Sequence, residues 1–330
     1  MESRQLQQTL FQKIKEKLPS HLSLADELGQ LLGLSADSVY RRIRGEKPVT
    51  LDEVQRICEH YRLSIDQLLQ TRSDSILFQA PGIDANPTSF TAYLRGMLEQ
   101  FNYFNSFERR DLCYICKDVP FWYFYLYPAL AAFKTFFWLK TIHNDPALAG
   151  QRFSMETFPF NDCFTLGQEI LQQHARMSTV ELWNQESIHS TINQIAWYRD
   201  AGMFRNREDL LSVIDSCIRM IDHLEAQTVI GRKFMPGATD LTHRGSLRLY
   251  INELILGSNT ILLELDGRKM AMITYSVFGY LITRDERFTA RAFENFNSLL
   301  SRALLISESG EKERTRFFNS LRDKVRALKD

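Results

Sequence analysis

Residues 40–47 place Arg41, Arg42, Arg44 and Lys47 against one carboxylate, Glu46. Ser35, Asp37, Ser38 and Tyr40 lie just ahead of them. A guanidinium fork matches two acceptors at once, so Arg41 and Arg44 can grip a guanine edge or a phosphate. Serine and tyrosine hydroxyls can donate to phosphate oxygens or base edges. Asp37 would be repelled by phosphate, and it fits only as an acceptor from cytosine N4. The chain carries 40 basic and 40 acidic residues. A nucleic-acid binder of zero net charge must gather its cations on one face, and this cluster does so.

Short helices must position these residues. Leu6, Leu10, Ile14 and Leu18 recur at helical spacing over 5–18. Ser23 can cap a second helix that carries Leu24, Leu28, Leu31 and Leu32 and stops at Gly33. Ser35 caps a third helix, ended by Gly45. Thr50 with Glu53 forms a capping box for a fourth, and Ser64 with Gln67 another for a short fifth. At about 100° per residue, Val39 and Ile43 of the third helix face the core. Asp37, Ser38, Tyr40, Arg41 and Arg44 face outward.

The string LADELGQLLGLSADSVYRRIRGEKPVTLDEVQRICEHYRLSIDQLL (24–69) resembles the five-helix, lambda-repressor-like helix-turn-helix domain of phage-repressor and Xre-type regulators. The resemblance rests on Gly29, Gly33, Val39, Gly45 and the leucines that end the fifth helix. It implies a third helix lying in the major groove of double-stranded DNA. Arg42 stands where that family usually has an apolar residue. Either its stem packs beneath a charged tip or Ile43 fills the space. One such domain buries too little surface for tight specific binding, so a homodimer is expected. The overall layout also resembles BetR-like bacterial regulators, which does not suggest a ligand.

At 330 residues the chain is too long for one comfortable core, so two or three domains are expected. Residues 71–90 collect Ser, Asp, Pro and Gly and read as a linker between the DNA-binding domain at 1–70 and the rest. We expect a helical, aromatic-rich domain at 91–240, then an α+β region at 241–330 that senses or dimerises. The fold class is therefore mainly α, with a small antiparallel β-meander and two closing helices near the end. The meander rests on Leu247, Leu249 and Ile251 in alternation and on a hairpin through Asp266-Gly267. From Phe121 to Trp138, 10 of 18 residues are aromatic. Three readings stand: a buried helix pair broken at Pro128, a pocket for an unknown small-molecule effector, or a membrane anchor at 119–139. Pro120, Pro128, Lys134 and the tyrosine hydroxyls weigh against the anchor.

Five scattered cysteines and a polar first segment suit a cytoplasmic protein. Cys113 and Cys116, read on an apolar helix, are packed thiols or a redox or metal pair. No His-Glu-x-x-His occurs, and His223-x-Glu225 lacks the downstream Pro-Cys-x-x-Cys of zinc deaminases. No enzyme, metal site or cofactor is expected. The competing use of the N-terminal module is protein–protein contact alone.

Overall fold

The structure is a computed structural model; it describes residues 3–18, 22–61, 63, 76–80, 90–238, 245–253, 257–277 and 279–329. The chain divides into two compact units, Met1–Leu77 and Phe78–Asp330.

The first unit contains α1 (Ser3–Lys17), α2 (Leu24–Leu32), α3 (Ala36–Ile43) and α4 (Leu51–Tyr61). Leu10, Phe11, Ile14, Leu28, Leu32, Val39 and Ile57 are the largest side chains of its core. Leu10 and Ile14 hold the expected stripe of α1, with Leu6 and Leu18 partly buried beside them. The fifth helix expected from Ser64 and Gln67 lies outside the described residues, as does most of the 71–90 linker.

In the second unit α5 (Phe90–Asn105) leads into β1 (Arg110–Ile115). A 3-10 helix (Phe121–Leu126), α6 (Pro128–Phe137), α7 (Asn161–His174) and β2 (Ser178–Trp183) follow. Next come α8 (His189–Asp200), α9 (Arg207–Ile230), β3 (Leu247–Ile251) and the hairpin β4 (Thr260–Leu265) and β5 (Arg268–Thr274). Then β6 (Tyr280–Thr283), α10 (Glu286–Leu300), β7 (Leu304–Leu305) and α11 (Glu311–Arg326) complete the chain. Among the described residues the strands form one seven-stranded sheet in the order β6-β5-β4-β1-β2-β3-β7. β1, β2 and β3 are parallel, and the other four pairings are antiparallel.

The two sheet faces differ. Leu112 and Tyr114 of β1, Ile261 and Leu263 of β4, and Met270 and Met272 of β5 join a large aromatic core. Leu182, Leu262 and Ala271 face the other way, onto Phe296 of α10. The chain is mainly helical, as expected, but the sheet is larger and earlier than the sequence indicated. The segment from Thr91 to Lys117, expected as helix, turns to strand at Arg110. Leu112, Ile115 and Cys116 mimic helical spacing because this central strand is covered on both faces. β2 escapes notice because Glu181 interrupts its apolar run. Its buried carboxylate accepts from Tyr123 Oη at 2.7 Å and Trp183 Nε1 at 2.9 Å.

Two further expectations are corrected. The division at residue 240 does not separate domains, because β1 and β2 share one sheet with β3–β7. Cys113 and Cys116 are not helix neighbours: Cys113 packs toward the α10 face and Cys116 toward the aromatic core. All five cysteines are free thiols, and burial pushes the Cys113 thiol up to about 12. The Asp266-Gly267 hairpin is present, with both residues at positive φ, 47° and 81°. Residues 119–139 form a buried 3-10 helix and then α6, which starts at Pro128. Among the described residues no helix is long and apolar enough to cross a membrane.

Gly167 on α7 packs directly against the ring of the fully buried Tyr125, so a Cβ at this position would overlap that ring. Gly167→Ala should therefore lower stability by about 1–3 kcal/mol. All four tryptophans lie between residues 122 and 197. Their fluorescence during urea unfolding of the full chain reports on this unit and should show an earlier midpoint.

Candidate nucleic-acid interface

α2 and α3 are joined by a turn through Gly33, Leu34 and Ser35. Gly33 adopts φ 69° and ψ 37°, and its N–H returns to the Gly29 carbonyl. That left-handed cap favours a residue without Cβ. Gly29 is constrained as well, since a Cβ there would lie 3.1 Å from the Leu34 carbonyl oxygen. Ser35 then caps α3 as expected: its Oγ accepts from the Ser38 N–H at 3.4 Å.

α3 divides sharply into two sides. Val39 and Arg42 are buried, whereas Asp37, Tyr40, Arg41 and Arg44 are exposed. Ser38 is half-buried, and Ser35 and Lys47 are exposed at either end. Seven of the eight sequence-predicted residues thus reach the surface.

Arg42 is the exception, and its assignment as a DNA contact is corrected. Its side chain is 4% exposed and forks onto Glu53 of α4, Nε to Oε2 at 3.0 Å and Nη2 to Oε1 at 2.7 Å. Nη1 donates to the Ser38 carbonyl at 3.1 Å. Glu53 also completes the expected capping box: it accepts from the Thr50 N–H at 3.0 Å, and Thr50 Oγ1 accepts from the Glu53 N–H at 3.3 Å. An arginine is accommodated inside at this position because a carboxylate waits for it one helix away.

Gln7 of α1, which the sequence reading missed, ties the end of α3. Its Nε2 donates to the carbonyls of Arg42 at 2.6 Å and Lys47 at 2.8 Å, and its Oε1 accepts from the Val49 N–H at 3.0 Å. The signal was its place: Gln7 lies on the stripe of Leu10 and Ile14, where an amide needs internal partners.

On the open side Glu46 draws both outer arginines. Arg44 donates to it from Nε at 2.6 Å and Nη2 at 3.1 Å, and Arg41 Nε lies 3.8 Å away. The hydrogen bond and charge of Glu46 raise the Arg44 guanidinium above its ordinary value. Exposed pairs of this kind hold weakly and give way to a stronger anion.

Burial pushes the Glu53 carboxyl up, but Arg42, the Thr50 N–H and Lys47 together outweigh it and leave it below the ordinary value. Its contribution to folding is therefore present above the unfolded carboxylate value and is lost as pH falls through the lower folded one. Arg42→Ala should cost about 2 kcal/mol by leaving Glu53 without its fork. Hydrogen exchange at neutral pH should accelerate in α3 and α4 and stay unchanged in β1–β5. Lowering the pH through the Glu53 value should accelerate the same exchange in the unaltered chain, and Glu53→Gln should remove that acid dependence.

Residues 12–91 match the family model of the BetR domain. No curated protein and no solved structure matches the chain. The N-terminal part of the chain is thus similar to a BetR domain, which supports a BetR-like regulator.

Proposed function

We propose that residues 1–70 bind double-stranded DNA sequence-specifically through the exposed side of α3, and that the chain regulates transcription in the cytoplasm as a homodimer. The observation that carries this reading is the division of labour on α3. Val39 and Arg42 anchor it, which leaves Ser38, Tyr40, Arg41 and Arg44 outward on a short, capped helix. Its BetR similarity adds support. Arg41 and Arg44 would leave Glu46 for guanine or phosphate, Lys47 and Ser35 would meet phosphates, and Asp37 would accept from a cytosine amine. Two copies would place their α3 helices about 34–36 Å apart, one DNA turn. The second unit would dimerise or sense, acting through binding and not catalysis, and would bias the paired helices.

Genome-wide immunoprecipitation would supply the operator, and fluorescence anisotropy would measure affinity for it. Arg41→Ala and Arg44→Ala should each cost about 1–3 kcal/mol if they read bases. Lys47→Ala should weaken all sequences alike and reduce the salt slope by about 1. Glu46→Gln should tighten binding, because it releases both arginines. Unchanged affinity in Arg41→Ala and Arg44→Ala together would overturn the DNA reading in favour of a protein-contact module.

A further inference from the structure

β1 crosses over to β2 on one side, while its other neighbour, β4, runs antiparallel. Open α/β sheets bind ligands outside the carboxyl ends of their parallel strands, where connections diverge. At that end of β1 lies a cavity of about 330 Å³, lined by Phe121, Phe124, Lys134, Trp138, Thr191 and Gln194 among others. It adjoins a wider cavity of about 690 Å³, with which it shares Lys117, Asp118, Ser190 and Gln194.

Lys134 is 3% exposed, yet it lines this space. Its Nζ donates to Gln194 Oε1 at 2.6 Å and Thr191 Oγ1 at 3.3 Å. It also sits 4.1 Å from the centre of the Phe124 ring and 5.0 Å from that of Trp138. Both hydrogen-bond partners are neutral, and among the described residues no carboxylate forms an ion pair with the amine. The nearby Asp118 is tied to Asn259, whose Nδ2 donates to it at 3.2 Å. Burial pushes the Lys134 ammonium down to about 7, against the pull of Asp118. A buried cation with neutral partners is costly, and an incoming anion would relieve it.

Two further observations define the anion. α8 begins at His189 without a side-chain cap, and Ser190 and Thr191 of its first turn line the cavity. A helix start of this kind favours negative charge. The described lining contains no arginine; Lys117 and Asp118 line both cavities and offset each other, and Glu186 borders the outer one. That is too little positive charge for a polyphosphate and enough for one carboxylate. Phe121 and Trp138, stacked with centroids 4.8 Å apart, supply the apolar wall.

We propose that this cleft binds a small organic carboxylate, its headgroup on Lys134 beside the first turn of α8 and its apolar body against the Phe121, Phe124 and Trp138 rings. The proposal deepens the regulatory reading by naming the class of effector, but it is tested without DNA, so either can fail alone.

Isothermal titration of the full chain with benzoate, hexanoate and indole-3-acetate is the test, with benzamide as the uncharged control. At least one carboxylate should bind one site per chain, and benzamide should bind roughly tenfold weaker or worse. Lys134→Met, which removes a buried cation and keeps the volume, should lose binding by about the same factor. Should that variant fail to fold, Thr191→Val, which keeps the shape, should still weaken the carboxylate several-fold. Above neutral pH the bound carboxylate should draw a proton onto Lys134, so the enthalpy should differ between buffers of unlike ionisation heat. The other ionisable groups around the amine are Lys117, Asp118, Tyr114, Cys217, Tyr275 and Tyr280, with Glu186 and His189 in the adjoining cavity. Burial holds the Cys217 thiol and the Tyr280 phenol at about 12, away from this range. Absence of binding by all three carboxylates, or binding that Lys134→Met and Thr191→Val leave intact, or equal binding of benzamide, would overturn the proposal.

Discussion

The fork between Arg42 and Glu53 is the constraint on which the N-terminal unit depends. α3 has only eight residues, too few to hold itself together in water. It is kept in place by Val39 below, Gln7 at its end and Glu53 from the next helix. Because the same carboxylate caps α4, one side chain sets both the position of α3 and the start of its neighbour. Such double use makes the pair stiff, and stiffness on the inner side is what allows the outer side to carry repelling cations without bending.

The second unit follows another logic. Its sheet is covered on both faces, by a large aromatic core on one and by α10 on the other. A charge inside it must find its partners within the protein, as Glu181 does between Tyr123 and Trp183. Lys134 departs from that pattern, since hydroxyl, amide and ring faces meet its charge where a carboxylate would be expected.

The first unit was readable because each helix announces itself. Ser23 and Ser35 cap, Gly33 stops, and Thr50 with Glu53 brackets the start of α4. The hairpin at Asp266-Gly267 was equally plain, as its residues tolerate the backbone that the turn demands. The central strands were hidden for the opposite reason: a strand buried on both sides has no alternation, and Leu112, Ile115 and Cys116 then look like a helix. Arg42 was misjudged because a charge beside other charges reads as surface. Only the structure shows that its partner sits eleven positions along the chain. Gln7 carried a legible anomaly, a polar residue on an apolar stripe, but its partners lie 35 to 42 residues away.

The order of strands in the sheet has a consequence for synthesis. β1 lies at the centre, yet its two neighbours start at Ser178 and Thr260, far later in the chain. Chains emerge from the ribosome N-terminus first, and domains fold as units. α1 to α4 can assemble while the centre of the sheet still waits for its edges. A message cut short between these points would yield the four N-terminal helices with their own core, followed by a first central strand left without either of its neighbours.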